Sequence, residues 1–191
     1  VRGVIVEKMI KELNIEPYDK SLEDVSKFLD DLDFRKVKTK YTKGDAWTAI
    51  SFYGYGPETE DILKPGVLKS SVKIDTKLQY TKISDEPVMK SVHEILEKLP
   101  CTYERVRFMK LVAGKVIGKH SDKIDKDIES GNIVRIHVPI RTNEDVIFTL
   151  YENARDKIGN EHNLKTGHFY YTDVSKPVSY THLRAHETCT N

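Results

Sequence analysis

The spacing of hydrophobic residues changes along the chain. Leu22, Val25, Phe28, Leu29 and Leu32 recur every three or four positions, the period of an amphipathic helix. Ser21 is placed to cap that helix, with Asp24 three positions on. A second helix is predicted from Val88, Val92, Ile95, Leu96 and Leu99. Pro87, after Asp85, suits its first turn, and Pro100 ends it. Between the two helices, residues 47–53 (Trp-Thr-Ala-Ile-Ser-Phe-Tyr) alternate as a strand does. Gly56-Pro57 then turns the chain. Residues 54–84 hold much Lys, Tyr, Ser and Gly and read as loops with short strands.

From about residue 102 the period shortens. Strands are predicted at about 105–113, 115–120, 132–140, 145–151 and 168–172. Gly114, Gly118, Gly131, Asn143-Glu144 and Gly159-Asn160 punctuate them. Many short strands at this spacing favour a sandwich or a jelly roll. The clearest strand lies over residues 133–140. Val134, Ile136, Val138 and Ile140 share one face; Ile133, Arg135, His137 and Pro139 share the other. The first face packs in a core, and the second offers a cation and an imidazole. No internal repeat or low-complexity segment is visible.

Composition narrows the class. The 191 residues suffice for one domain with a core. With 38% hydrophobic and 32% charged residues, the chain reads as globular rather than disordered. Its 31 basic and 30 acidic residues nearly cancel, so charge gives no reason to expect nucleic acid or an anionic membrane as a partner. No apolar run approaches the roughly 20 residues of a spanning helix, and no signal peptide is visible. Cys101 and Cys189 do not form a disulfide framework. A cytoplasmic location is the expectation. Oligomeric state is not legible.

Two polar patches carry the candidate chemistry. His120 and Asp122 stand at i and i+2 at the end of a strand, as do Arg135 and His137 within one. Each pair can therefore share a face. An imidazole beside a carboxylate suits a divalent transition metal. A guanidinium beside an imidazole suits a carboxylate ligand. The plainer alternatives are an exposed turn around His120 and Asp122, a cross-strand ion pair for Arg135, and a core role for His137. His93 and His162 read as surface residues and His168 as structural. Trp47, Tyr53 and Tyr55 suit either substrate contact or strand packing.

These segments in succession resemble a known family. Arg107-Phe-Met-Lys-Leu-Val-Ala-Gly114, Ile117-Gly-Lys-His120-Ser-Asp122, Arg135-Ile-His-Val-Pro-Ile140, Val146-Ile-Phe148 and Gly167-His-Phe-Tyr-Tyr171 resemble the aspartyl/asparaginyl β-hydroxylases. That family includes free-proline hydroxylases, among the Fe(II)/2-oxoglutarate dioxygenases. The resemblance covers about residues 102–177. It implies a mainly β fold with flanking helices: a double-stranded β-helix, or cupin-like jelly roll. It implies that His120 and Asp122 hold Fe(II), and that Arg135 and His137 contact the 2-oxoglutarate cosubstrate. The implied activity is hydroxylation of an Asp or Asn side chain in a protein, or of a free amino acid such as proline. The alternative is a non-catalytic cupin-like module that binds a small molecule.

The sequence departs from that family after Lys176-Pro177, where a second histidine ligand is implied and Val178 stands instead. Residues 178–188 resemble translated read-through of a sequencing-library adapter. A single dioxygenase-like domain is therefore expected over residues 1–177, with a mixed part at 1–101, a jelly-roll part at 102–177 and a non-native tail at 178–191. A jelly roll truncated there is expected to be poorly folded or inactive. His182 or His186 filling the vacant ligand position is a weaker expectation, since neither has the implied spacing.

Overall fold

The computed structural model describes residues 10–16, 19–37, 39–54, 81–82, 84–103, 105–121 and 134–182. In chain order the elements are β1 (Ile10–Glu12), α1 (Asp19–Phe28), β2 (Arg35–Lys36), β3 (Trp47–Gly54), β4 (Thr81–Lys82), α2 (Met89–Leu96), β5 (Val106–Leu111), β6 (Val116–His120), β7 (Arg135–His137), β8 (Val146–Leu150), β9 (Asn160–His162), β10 (Tyr170–Thr172) and β11 (Val178–His182).

Both helices form where the apolar spacing places them. Leu22 and Val25 of α1 and Val92 and Ile95 of α2 are buried together, with Phe28, Leu29 and Leu32 packed alongside. Ser21 is not the cap. It lies inside α1, is fully buried, and donates to Glu94 of α2 at 2.6 Å. After α2 the chain tightens into i→i−3 bonds, from Lys98 N–H to Ile95 O and from Leu99 N–H to Leu96 O, before Pro100.

The strands pair antiparallel in three sheets. In the first, β5 lies along one edge of β3, from Trp47 opposite Leu111 to Tyr53 opposite Val106. The short strands β2 and β4 share the other edge. The second sheet runs β1-β10-β7 and the third β6-β11-β8-β9. The main core gathers α1, α2, Ile50 and Phe52 of β3, and Phe169. Ile136, Val138 and Ile140 pack against it, as their alternation predicts. A second cluster, Phe148, Leu150, Leu164, Tyr170 and Val178, lies between the second and third sheets.

This arrangement corrects the expected jelly roll. The fold is mixed α/β with three open antiparallel sheets, and none of them closes among the described residues. The reason lies in the pairing. Strands β5 and β6 are joined by a tight turn with Gly114 at φ +71°, yet they do not form a hairpin. Instead β5 joins β3, from the first hundred residues, and β6 joins β11. Strand β7 pairs over only three residues, and Pro139 just beyond it has no N–H to extend a ladder. Asn160, read with Gly159 as a turn, instead opens β9. A side chain at Gly159 would place its Cβ 2.6 Å from Leu150 O, so only glycine allows the close β8–β9 approach. Residues 178–182, expected to begin the non-native tail, form β11 between β6 and β8.

Arg141 ties the end of β7 to α1. Its guanidinium donates to Ser26 Oγ and Asp30 Oδ1, each at 2.9 Å, and to Ser26 O. No helix among the described residues is long and apolar enough to cross a membrane.

Candidate ligand site between the sheets

Strand β7 sits between two environments. Ile136 faces the helix-backed core, so Arg135 and His137 face the opposite way. There the His137 ring lies 5.8 Å from that of Phe148 and 6.1 Å from that of Tyr180. Tyr180 Oη is 3.4 Å from His137 Nε2. Across the ladder on β10, Tyr170 is the partner of His137 and Thr172 the partner of Arg135. Directly paired residues share a face, so these four side chains line one surface.

Two of them differ in how their polar atoms are met. Tyr170 Oη accepts the Lys165 N–H at 3.1 Å. Burial pushes its phenol pKa up, so the group stays neutral. Thr172 is 1% exposed, and its hydroxyl has no hydrogen-bond partner among the described residues. A buried hydroxyl left so costs about 1–3 kcal/mol.

His120 ends β6 in the third sheet. Its Nδ1 is 2.9 Å from Gly118 O. A carbonyl only accepts, so Nδ1 carries a proton. The Tyr41 ring stacks on the imidazole at 4.9 Å, and the Trp47 ring lies 6.2 Å away. Gly118 makes this stacking possible. Its N–H donates to Tyr41 O at 2.7 Å, and a Cβ there would come within 3.2 Å of that oxygen. The Trp47 indole nitrogen is buried and has no partner among the described residues.

Arg135 and His137 thus share one surface as expected, while His120 belongs to a different sheet. Strand β11 links the two. Val178 is the pairing partner of His120, and Tyr180, two residues on, meets His137. Asp122 lies outside the described residues.

The expected metal centre is not supported. Among the described residues no group of three or more His, Cys, Asp or Glu side chains is placed to hold a metal ion. The position implied for the second histidine is beside His120, but the side chain there is the buried, apolar Val178. His182 is at the far end of β11, opposite Val146. With the sheets open as well, the expected Fe(II)/2-oxoglutarate hydroxylase activity is corrected, and with it the cupin-like alternative and the assignment as an enzyme of that kind.

The Thr172 hydroxyl is the feature that sequence reasoning missed, legible only as part of a strand, whereas Trp47 was already a candidate for substrate contact. His93 is not a plain surface residue, since its Nε2 is 3.0 Å from Tyr53 Oη and its Nδ1 3.4 Å from Tyr103 Oη. Burial, with the neighbouring Tyr103, raises the Tyr53 pKa. His168 is structural as read, paired through Nδ1 with Glu12 Oε1 at 2.6 Å. Comparison with protein-family models finds no match, and comparison with curated proteins finds none of significant similarity.

Proposed function

We propose that this protein binds a small carboxylic acid in the layer between the second and third sheets. The carboxylate lies against Arg135, with His137 and Thr172 beside it. An oxoacid of the 2-oxoglutarate class is one ligand with this chemistry. The observation that carries the reading is the Thr172 hydroxyl, buried and without a partner among the described residues, on the strand position paired with Arg135. A carboxylate oxygen would accept its proton. The guanidinium fork supplies charge-assisted hydrogen bonds in the geometry a carboxylate needs. The apolar walls, Phe148 and Leu150, would exclude water and strengthen those bonds. The amphipathic Tyr180 and His137 would adjust to the ligand's polar end.

Calorimetric titration with valerate and with valeramide tests this. The acid is expected to bind and the amide to bind at least about tenfold more weakly, as expected for loss of a charge-assisted hydrogen bond. Arg135→Gln is expected to erase that preference. Equal affinity for acid and amide in the unaltered protein would overturn the reading.

A further inference from the structure

The Thr172 hydroxyl is buried and has no partner among the described residues. A carboxylate drawn to it has no open path, so one of the elements around it must move. Strand β10 lies between β1 and β7. Thr172 is therefore flanked by Ile10 on one side and Arg135 on the other. The β7 side is held firmly. Val138 and Ile140 beyond it pack against the main core, and Arg141 is tied to α1. Strand β11, on the third sheet, has a partner strand along each edge.

The β1 side is held least. Its three residues pair with β10 alone among the described residues. Ile10, the partner of Thr172, packs against the second apolar cluster. Its side chain thus shares the layer with the hydroxyl and closes that flank. The chain is pinned from Leu13 onward. The Leu13 N–H donates to Phe169 O at 2.8 Å, and Leu13 and Ile15 pack against the main core. Residues 10–12 are a short arm on a fixed pivot.

A side-chain pair secures the arm. Glu12 Oε1 accepts from His168 Nδ1 at 2.6 Å, with both side chains part-exposed. This bond holds the Glu12 carboxyl below its ordinary value. The catch is rigid. The His168 N–H donates to Lys165 O at 3.3 Å across a tight turn whose Gly167 stands at φ +83°. The Gly167 N–H in turn donates to Pro139 O at 2.9 Å.

We propose that β1 is a strap over the carboxylate site: residues 10–12 swing away from β10 to admit the ligand, and the Glu12–His168 pair latches them shut. This rests on the carboxylate reading above and adds control of access to the same site. The ligand enters in proportion to the fraction of time the strap is open. The latch is made in the empty and the filled protein alike. It therefore acts on entry and exit together and leaves the binding equilibrium nearly unchanged. A pair serving stability alone would alter neither rate.

Line shapes in an NMR titration of the full chain with valerate give both rate constants. Glu12→Ala is expected to raise association and dissociation by about two- to fivefold, the worth of a part-exposed ion pair, with Kd within about twofold. Lys11→Pro strikes the ladder instead. The Leu13 bond to Phe169 O places the next inward N–H two residues back, at Lys11, and proline lacks it. Both rates are then expected to rise about tenfold. Arg141→Ala, on the β7 side, is expected to change neither rate. Unchanged rates in Glu12→Ala, with valerate still bound, would overturn the strap and leave the carboxylate reading standing. Faster exchange of valerate in Arg141→Ala alone would do the same, by placing the opening at β7. No binding to the unaltered protein would overturn both. If Lys11→Pro does not fold, the rates of the surface variant Glu12→Ala decide.

Discussion

The two sides of β7 are built on opposite principles. On the helix side, Ile136 and Val138 pack against a core that includes Phe52, Val92, Ile95 and Phe169 and is closed by two amphipathic helices. On the sheet side, Arg135 and His137 meet Tyr170, Thr172, Phe148 and Tyr180. The first side satisfies itself with apolar contact. The second mixes aromatic walls with polar groups and leaves one buried donor, the Thr172 hydroxyl, without a partner among the described residues. A layer designed for stability alone would have replaced those groups with aliphatic ones. Their retention separates a part of the fold kept for packing from a part kept for recognition.

The largest expected effect falls on the helix side. Phe52 is fully buried and meets Phe108 edge-on at 4.8 Å. Phe52→Ala should cost about 3–5 kcal/mol of stability, measured by urea unfolding. A loss comparable to that of a surface substitution would mean that this core is not the main source of stability. Next is Gly159→Ala, which forces a Cβ onto the backbone oxygen of Leu150. The β8–β9 approach must open, at about 1–3 kcal/mol by analogy with overpacking. Amide exchange should rise in β9 and not in α1.

Thr172→Val should move in the opposite direction. It removes the unpartnered hydroxyl at nearly constant volume, so the free protein should gain about 1 kcal/mol while valerate binding weakens. A destabilised Thr172→Val protein would show that the hydroxyl has a partner after all and would erase the contrast between the two sides.

The smallest effect is electrostatic. The Arg141 guanidinium beside Asp30 holds its carboxyl below the ordinary value of 3.8. A depressed carboxylate pKa stabilises the fold above the unfolded value and loses that contribution as pH falls through the folded one. Arg141→Ala should therefore lower the melting temperature near neutrality, and the difference from the unaltered protein should shrink as pH falls through and below 3.8. A difference unchanged down to acid pH would assign the clamp to Ser26 alone.

Much of the local structure was legible in the sequence. Helical spacing placed α1 and α2, and alternation placed β3, β5, β6 and β8 and the two faces of β7. These signals are local, because each depends on which side of one element is apolar. What was not legible depends on partners. Nothing near Met109 announces that it pairs with Ala49, and nothing near Tyr171 announces Lys11. Those long-range pairings make the sheets open where the strand count suggested closure. The candidate site divides in the same way. Arg135 and His137 were visible because they sit two apart on an apolar strand. Thr172 is an ordinary strand residue until its neighbours are known. Ser21 was misread because its hydroxyl meets a carboxylate 73 positions away rather than a nearby backbone N–H.

Strand β11 lies between β6 and β8 but follows both in the chain. During synthesis the two flanking strands emerge before the one that joins them, with their inner edges uncovered. The third sheet therefore completes late. Until β11 arrives, those bare edges invite other chains, and a chaperone that shields strands would act on this segment of the nascent polypeptide.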